Sequence, residues 1–333
     1  MTTDEILALP EIPHGLRESS QRGTLIPFVG AGASRIAGCP SWGEFADNSL
    51  RDLVSRGFFS FGQLAQLSSV NPRIKLSLAQ ALALEHKTDI QFEKILHPTD
   101  HRSHKEGRRL YDSLSLLGKT FVTTNYDRWL DEELNLPDGI PPAGSLPPSS
   151  ATFKQRRVIY EVQDLTPACL SYPDTVIHLH GSLLRPATMI MTTQDYVKHY
   201  ANDRSGADAN TENPILTFLE HLFSEKTVLF VGYGLEELEI LEYVILKSRR
   251  IQKATPAVAR HYLLQGFFSH ERDLMRSLRR YYLEQCGIEL IPFLRDHRDW
   301  NQLVEVTEDF ASKVPATSSM VLQDLKEMGD LLT

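Results

Sequence analysis

Four short segments of the sequence carry the glycine and polar residues that enzymes use to bind phosphates and to move protons. They are GAGAS (30–34), TTNYD (123–127), HLHG (178–181) and VGYG (231–234). A neutral histidine such as His180 can accept a proton at physiological pH, because its ordinary pKa is about 6.5. The amide of Asn125 can hold a water molecule or a hydroxyl without adding charge. These residue types suit a site that binds a phosphorylated ligand and transfers a proton.

The first segment lies between an apolar run, Leu25–Val29, and a helical pattern. Glycines at such a junction let the backbone approach a pyrophosphate, whose charge is met by backbone amides and the start of a helix. Ser34 adds a hydroxyl. The segment lacks the third glycine of the usual dinucleotide fingerprint, and glycine-rich turns of this kind also serve packing alone. On this segment by itself both interpretations stay open.

The other candidates also have structural alternatives. Asn125 precedes an apolar periodic segment and is placed to cap a helix. His180 is also interpreted as a hydrogen-bonded residue at a strand end. Because alternate strand residues share a face, His178 and His180 could bind a metal, although the sequence supplies no third ligand. Tyr233 either stacks on an adenine ring or packs between helices.

Apolar, β-branched runs bounded by turn residues predict strands. They cover residues 25–29, 121–124, 176–180, 189–192, 228–231, 262–264 and 289–292. Apolar residues spaced by three and four predict helices between them. The helical patterns cover residues 42–54, 104–117, 215–223, 235–246 and 271–286. This alternation predicts an α/β fold with a Rossmann-type doubly wound parallel sheet.

Residues 51–118 carry several helical patterns and no strand, which is more chain than one crossover needs, so we expect a helical insertion. We expect a catalytic domain over 20–315 and a C-terminal helical tail over 316–333. Residues 137–150 and 202–213 are rich in Pro, Gly or polar residues and are predicted to be surface loops.

Composition limits the class of protein. With 333 residues, 41% hydrophobic and 23% charged, the chain has the composition of a soluble globular protein, and no apolar run is long enough for a membrane span. The N-terminus does not resemble a secretory signal, so a cytoplasmic location is expected. A net charge of -8 opposes attraction to nucleic acid, and we expect no direct binding to it. Three scattered cysteines fit neither a disulfide framework nor a four-thiolate zinc site.

Taken in this order, together with GCPSW (38–42), the four segments resemble the Sir2 family. The resemblance implies a Rossmann-type domain that binds NAD and cleaves the bond between nicotinamide and ribose. It implies that Asn125 and His180 are catalytic, Asn125 by contacting the nicotinamide ribose and positioning a water, and His180 as the base. The NAD-binding positions that it implies are Gly30, Ala31, Gly32, Ser34, Thr124, Asp127, Gly232, Tyr233 and Gly234.

The sequence departs from the deacylases of that family in three respects. Residues 124–127, Thr-Asn-Tyr-Asp, stand where the deacylases usually have Gln-Asn-Ile-Asp or its Val variant. The deacylases also have a Phe-Arg pair near the position of Trp42, and this sequence does not. Their two Cys-x-x-Cys pairs for structural zinc have no counterpart here, so no zinc is expected. The pattern is similar to the bacterial Sir2-like NAD hydrolases of antiphage defence, which implies NAD as the substrate and water as the acceptor. The alternatives are a protein deacylase or ADP-ribosyl transferase, and a catalytically silent nucleotide-binding sensor.

An NAD hydrolase of this kind must be restrained until infection. Because we expect only a short tail after the catalytic domain, the resemblance implies control by a homo-oligomer, by a separately encoded partner such as an ATPase of the HerA type, or by both. The apolar residues of the predicted insertion are the candidate contact surface, unless they only cover their own core. They are Phe58, Phe59, Leu64, Leu76 and Leu82.

Overall fold

The computed structural model describes residues 5–97, 104–135, 152–200, 213–233, 261–314 and Ala316. Within these residues, seven strands form one parallel sheet in the order β5-β6-β2-β1-β7-β8-β9, and β3 pairs with β4 in an antiparallel ribbon. The strands are β1 (Leu25–Val29), β2 (Thr120–Thr123), β3 (Glu132–Asn135), β4 (Thr152–Gln155), β5 (Arg157–Ile159), β6 (Thr175–His178), β7 (Thr227–Val231), β8 (His261–Phe267) and β9 (Ile288–Leu294).

Helices cover both faces of this sheet. Ile26 and Phe28 of β1 belong to one apolar core, whereas Leu25 and Val29 belong to another on the opposite face. The helices are α1 (His14–Gln21), α2 (Ala31–Ile36), α3 (Trp42–Ser55), α4 (Phe61–Gln66), α5 (Pro72–Glu85), α6 (Phe92–Leu96), α7 (Lys105–Leu117), α8 (Thr193–Tyr200), α9 (Pro214–Glu225), α10 (Arg272–Tyr281) and α11 (Gln302–Lys313). A parallel sheet buried on both faces confirms the predicted α/β, Rossmann-type doubly wound class.

One predicted strand is wrong. Residues 189–192 are buried but form no strand. The amide of Ile190 donates to the carbonyl of His180, and the amide of Thr192 donates to the carboxylate of Asp195 in the first turn of α8. The apolar run therefore indicates only that the segment is buried. Buried strands and buried irregular segments share this composition. Strand β5 and the β3–β4 ribbon were not predicted.

Helices occupy the described part of residues 51–118. Helix α3 packs on α5, and together with α4 they surround a small core separate from the sheet, whereas Leu110 and Leu114 of α7 pack against the sheet. Leu76 is fully buried in α5, so it cannot belong to an exposed contact surface. The other four candidates for that surface are partly buried and pack on the neighbouring small core. The limits of the insertion, the domain and the tail stay predictions.

Several predictions fall on residues that the structure does not describe. They concern the loops at 137–150 and 202–212, the helix at 235–246 and the tail from residue 317 onward. Asn213, the last residue of the second predicted loop, caps α9 by accepting hydrogen bonds from two backbone amides. None of the helices in the described part of the chain combines the length and the apolar character needed to cross a membrane.

Candidate functional site

The four glycine and polar segments meet at one edge of the sheet. They follow β1, β2, β6 and β7, which are neighbours in the order β6-β2-β1-β7. Parallel strands present all their carboxyl ends at the same edge, so the topology brings the segments together. The strand order reverses at β1: β2 and β6 lie on one side of it, and the later strands β7, β8 and β9 lie on the other. Ligands of open α/β sheets bind in the crevice that such a reversal creates.

A cavity of about 710 Å³ lies at this edge. Its other walls come from α2, α3, the start of α5, and α8. The sequence-predicted residues that line it are Ala31, Ser34, Thr124, Asn125, Asp127, His180 and Tyr233. The volume is in the range of pockets that hold a small organic ligand or a cofactor.

Gly30, Gly32 and Gly232 do not line the cavity; they join β1 to β7. The amide of Gly32 donates to the carbonyl of Gly232 at 2.7 Å, and Gly232 has a φ of +64°. A Cβ added at Gly30 or Gly32 would lie 2.8 or 2.7 Å from that same carbonyl oxygen. Packing between the two turns is therefore enough to require these glycines. Gly234 lies outside the described residues.

Ser34, Asn125 and Asp127 form a buried hydrogen-bond network. The Ser34 hydroxyl donates to Asp127 Oδ2 at 2.5 Å, and Asn125 Nδ2 donates to Ser34 Oγ at 2.8 Å and to the carbonyl of Gly30 at 3.0 Å. Tyr111 of α7 lies 3.2 Å from Ser34 Oγ and donates to it, since the proton of Ser34 is already used. The network links the segments after β1 and β2.

This network overturns the interpretation of Asn125 as a helix cap. No helix begins after Asn125; the backbone from 124 to 131 forms bends and turns before β3. The side chain of Asp127 instead holds this turn, accepting from the amide of Trp129 at 3.1 Å. Tyr111 was not identified from the sequence, because nothing in the apolar pattern of α7 distinguishes a tyrosine that reaches the site from one that packs.

His180 lies two residues beyond the end of β6. Its ring meets those of Tyr196 and Tyr200 of α8 edge to face, with centroids 5.5 and 5.7 Å apart. Burial, with the positive charge of Arg73, lowers the pKa of His180 to about 3. The ring is therefore neutral at physiological pH and can accept a proton. The contacts that surround the ring within the described residues are aromatic ones, from Tyr126, Tyr196 and Tyr200.

Arg73 is a site residue that the sequence analysis missed. It lies in the first turn of α5, which Asn71 caps and Pro72 begins, and its guanidinium sits 3.9 Å from the ring centroid of Tyr196. It lines the cavity together with Arg35, and neither arginine pairs with a carboxylate within the described residues. The cavity therefore carries two cations. Because α5 is distant in sequence from every motif, only tertiary packing reveals this placement.

His178 has a different environment. Its Nε2 lies 2.9 Å from Asp131 Oδ1, its Nδ1 lies 2.7 Å from the carbonyl of Asn125, and the residue is 1% exposed. Burial alone would lower its pKa, but Asp131, together with the carbonyl of Asn125 and the charge of Asp127, outweighs burial and raises the pKa above the ordinary value. The metal alternative placed His178 and His180 on one strand face; β6 ends at His178, and the two rings contact different residues. Within the described residues, no group of three His, Cys, Asp or Glu side chains could hold a metal.

Tyr233 both packs and faces the cavity. Its ring contacts those of Phe28 and Phe230, with centroids 5.1 and 5.4 Å apart, and it lies on the cavity wall. Tyr233 therefore does pack, but against aromatic residues of β1 and β7 and not between helices as the packing interpretation assumed. A tyrosine fixed in this way presents a rigid ring to a ligand.

Comparison with known proteins agrees with this geometry. Residues 119–291 match the family model described as SIR2-like domain. Defense-associated sirtuin 2 of Bacillus subtilis is 22% identical over 249 residues, which cover 72% of this chain and 20% of that protein. The chain thus spans about one fifth of the length of the curated relative that it matches. Because the matched segment exceeds half of the 333 residues and contains the turns after β2, β6 and β7, the chain belongs to the family of proteins with a SIR2-like domain.

Proposed function

We propose that this chain hydrolyses NAD to nicotinamide and ADP-ribose in the cavity at the carboxyl edge of the sheet. The observation that carries the proposal is the position of His180. A neutral imidazole lines the same cavity as the buried network of Ser34, Asn125 and Asp127. A proton acceptor and a polar anchor for a ribose hydroxyl are the groups that cleavage of an N-glycosidic bond by water requires.

The chemistry of the cavity wall fits a dinucleotide. Its volume of about 710 Å³ is sufficient for a ligand of this size. Arg35 and Arg73 supply positive charge for a diphosphate, and guanidinium groups form strong hydrogen bonds with phosphate oxygens. Aromatic side chains offer flat surfaces for the two bases, and they include Trp42, Tyr126, Tyr196, Tyr200 and Tyr233.

The proposed reaction breaks the bond between C1′ of the ribose and the ring nitrogen of nicotinamide. Both bonding electrons go to that nitrogen, which is cationic in NAD and becomes neutral on departure. Water adds to the oxocarbenium-like carbon and passes its proton to His180. Water bound to such a carbon is strongly acidic, so a weak base of low pKa is sufficient. Asn125 would position the ribose and the water, and Asp127 would stabilise the developing positive charge.

We propose a role in antiphage defence, and the comparison supports it. The curated relative is named as a defence-associated sirtuin, and a hydrolase that depletes NAD would serve as an effector of that kind. Such an activity in the cytoplasm needs restraint. We propose that a homo-oligomer, a separately encoded ATPase of the HerA type, or another regulatory partner provides it.

A nucleotide sensor without catalytic activity is the second candidate. The hydroxyl hydrogen of Ser34 and both amide hydrogens of Asn125 are already used in hydrogen bonds inside the protein, which also suits a rigid binding site that performs no chemistry. A deacylase or an ADP-ribosyl transferase would need an acceptor other than water, and this difference can be measured directly.

The test is incubation of the purified chain with NAD, with and without an acetylated peptide, while nicotinamide and ADP-ribose are quantified. Loss of NAD without peptide supports the hydrolase, and strict dependence on the peptide supports a deacylase. Calorimetric titration with NAD completes the experiment. Binding without turnover, by the chain alone and with candidate partners, would support the sensor and refute hydrolysis.

A further inference from the structure

His178 connects the two ends of the turn that carries Asn125. One ring nitrogen, Nδ1, lies 2.7 Å from the carbonyl oxygen of Asn125, and the other, Nε2, lies 2.9 Å from Asp131 Oδ1. A carbonyl oxygen can only accept a hydrogen bond, so Nδ1 must carry a hydrogen. The ring therefore donates to the backbone of the candidate catalytic residue.

The second nitrogen faces a carboxyl group, and one proton lies between the two. An imidazole is ordinarily the stronger base, with a pKa near 6.5 against about 3.9 for an aspartate, so the proton stays on the ring. His178 is then an imidazolium with two N–H donors, and Asp131 is its counter-ion. Both are almost completely buried, at 1% and 2% exposure, and burial tolerates charges only when they are paired in this way.

We propose that His178, held as an imidazolium by Asp131, is a positioning residue for the site. It fixes the peptide carbonyl of Asn125, and thereby the direction of the Asn125 side-chain amide toward Gly30 and Ser34. His178 is not on the cavity wall, so it acts through Asn125 rather than on a ligand.

The turn needs such a tether because it has little regular structure of its own. Beyond β2 the chain leaves the sheet at residue 124 and forms bends and turns as far as residue 131. The amide of Asn125 donates to Thr123 Oγ1 at 3.0 Å, and the carbonyl of Tyr126 accepts from the amide of Leu183 at 2.9 Å. These bonds hold the first residues. His178 adds a cross-link between the first and last residues of the turn.

The neighbouring charges favour this arrangement. Asp127, on the same turn, adds a second negative charge near His178. Arg156, between β4 and β5, lies next to Asp131: its backbone amide donates to the carbonyl of Asp131, and its guanidinium donates to the carbonyl of Leu130 and to Ser115 Oγ. Oδ2 of Asp131 has no hydrogen-bond partner within the described residues. The hydrogen bond of the Asp131 side chain is therefore made to His178.

The test compares His178→Gln with His178→Lys, using NAD hydrolysis as the proposed activity. Gln keeps N–H donors on one amide nitrogen but loses the charge, whereas Lys keeps both a charge and N–H donors. We expect Gln to lower kcat on the order of 10²-fold with KM nearly unchanged, because the reacting group is misplaced while the ligand contacts remain. Lys should recover most of that loss. His261→Gln, in a buried histidine of β8 away from the cavity, is the matched control and should leave kcat unchanged.

Two further measurements do not depend on catalysis. Nitrogen-15 spectra of the wild-type chain, recorded as a pH titration, should show both ring nitrogens of His178 protonated to a higher pH than in an unfolded histidine. Loss of the ring proton at or below about pH 6.5 would overturn the proposal even if His178→Gln failed to fold. Hydrogen exchange at the amides of residues 125–127 should accelerate in His178→Gln and not in His261→Gln. Unchanged exchange in a folded His178→Gln would also overturn it. If the wild type does not cleave NAD, the proposed function fails, and these two measurements still decide the role of His178.

Discussion

Two histidines at the end of β6 show how far two nearly adjacent positions can differ. His178 points away from the cavity into a buried carboxylate and a backbone carbonyl, whereas His180 faces the cavity among aromatic rings and beside an arginine. Burial is similar, at 1% and 6% exposure, but the pKa of His178 is raised and that of His180 is lowered to about 3.

The difference shows that burial alone does not set the protonation of a histidine. Burial disfavours the charged ring at both positions, and the sign of the nearest charge decides the outcome. Beside Asp131 the ring keeps its proton and holds the turn in place. Beside Arg73 the ring stays neutral, which suits a proton acceptor. We thus propose a structural role for the histidine at position 178 and a chemical role for the histidine at position 180.

The largest expected effect is on the proposed catalysis, when a residue that lines the cavity is replaced. His180→Ala and Asn125→Ala should each lower the rate of NAD cleavage by ~10²-fold or more, because each removes a group that handles the water or the ribose. The measurement is nicotinamide release by purified, folded variants. His221→Ala, on the exposed surface of α9, serves as the control. Near-normal turnover in either site variant would remove that residue from the proposed mechanism.

The next effect is on the fold beside the site and is tested with two glycines. In Gly32→Ala the new methyl group would lie 2.7 Å from the carbonyl oxygen of Gly232, so we expect a loss of about 1–3 kcal/mol in the free energy of unfolding. Gly43, in the first turn of α3, has nothing within 4 Å of an added Cβ. Gly43→Ala should therefore stabilise the helix by about 0.5–1 kcal/mol.

Urea denaturation of both variants measures the difference. Equal stabilities would show that the turns after β1 and β7 can separate without cost. The result also bears on NAD binding: because Gly32→Ala strains the protein itself, weaker binding in that variant would not locate the pyrophosphate.

At pH 7 a smaller effect is expected from the protonation of the two histidines, which grows as the pH changes and has opposite signs for His178 and His180. The pKa of His180 in the folded protein is below its unfolded value of 6.5, so the unfolded chain binds an extra proton between pH 6.5 and about 3. Stability is therefore lost as the pH falls through that window, on the order of 4 kcal/mol at the lower end. The pKa of folded His178 is above 6.5, so its contribution is complete below pH 6.5 and is lost as the pH rises through the folded value.

Urea denaturation from pH 4 to 9 checks both signs. Relative to the wild type, His180→Ala should lose less stability on the acid side, and His178→Gln should lose less on the alkaline side. A His180 variant with the acid sensitivity of the wild type would show that this ring is not held neutral in the folded protein.

Much of the sheet and the clustering of the motifs could be predicted from the sequence. Apolar runs followed by glycine or polar residues located β1, β2, β6 and β7, and the parallel arrangement then placed the segments at one edge. Strand limits were less secure. Residues 189–192 have the composition of a buried strand, but the amides of Ile190 and Thr192 donate to the carbonyl of His180 and to the Asp195 side chain instead of to a neighbouring strand. A prediction based on composition cannot distinguish a buried strand from a buried irregular segment.

The rest of the site depends on long-range packing that no local pattern records. Arg73 and Tyr196 come from α5 and α8, and only the folded chain puts the guanidinium over the ring. The separation of His178 from His180 was also not predicted, because it depends on β6 ending at residue 178. Taken alone, the position of Asn125 favoured a helix cap, but the residues directly after it form bends and turns instead of a helix.

The smallest expected effect concerns Arg73, the charge that distinguishes the cavity side from the side of His178. Arg73→Gln should weaken binding of ADP-ribose about 3- to 10-fold, because one partly exposed ion pair contributes about 1 kcal/mol. It should also raise the pKa of His180, since one of the two causes of its low value is removed.

Arg73→Lys is the matched control: it keeps the charge but loses the flat guanidinium over Tyr196. Calorimetry with ADP-ribose and with adenosine separates the effects, because adenosine has no phosphate and should bind all three proteins alike. Equal loss of both ligands in Arg73→Gln would mean that Arg73 only supports the wall. In that case the diphosphate would have to be bound elsewhere in the cavity, with Arg35 as the remaining cation on its wall.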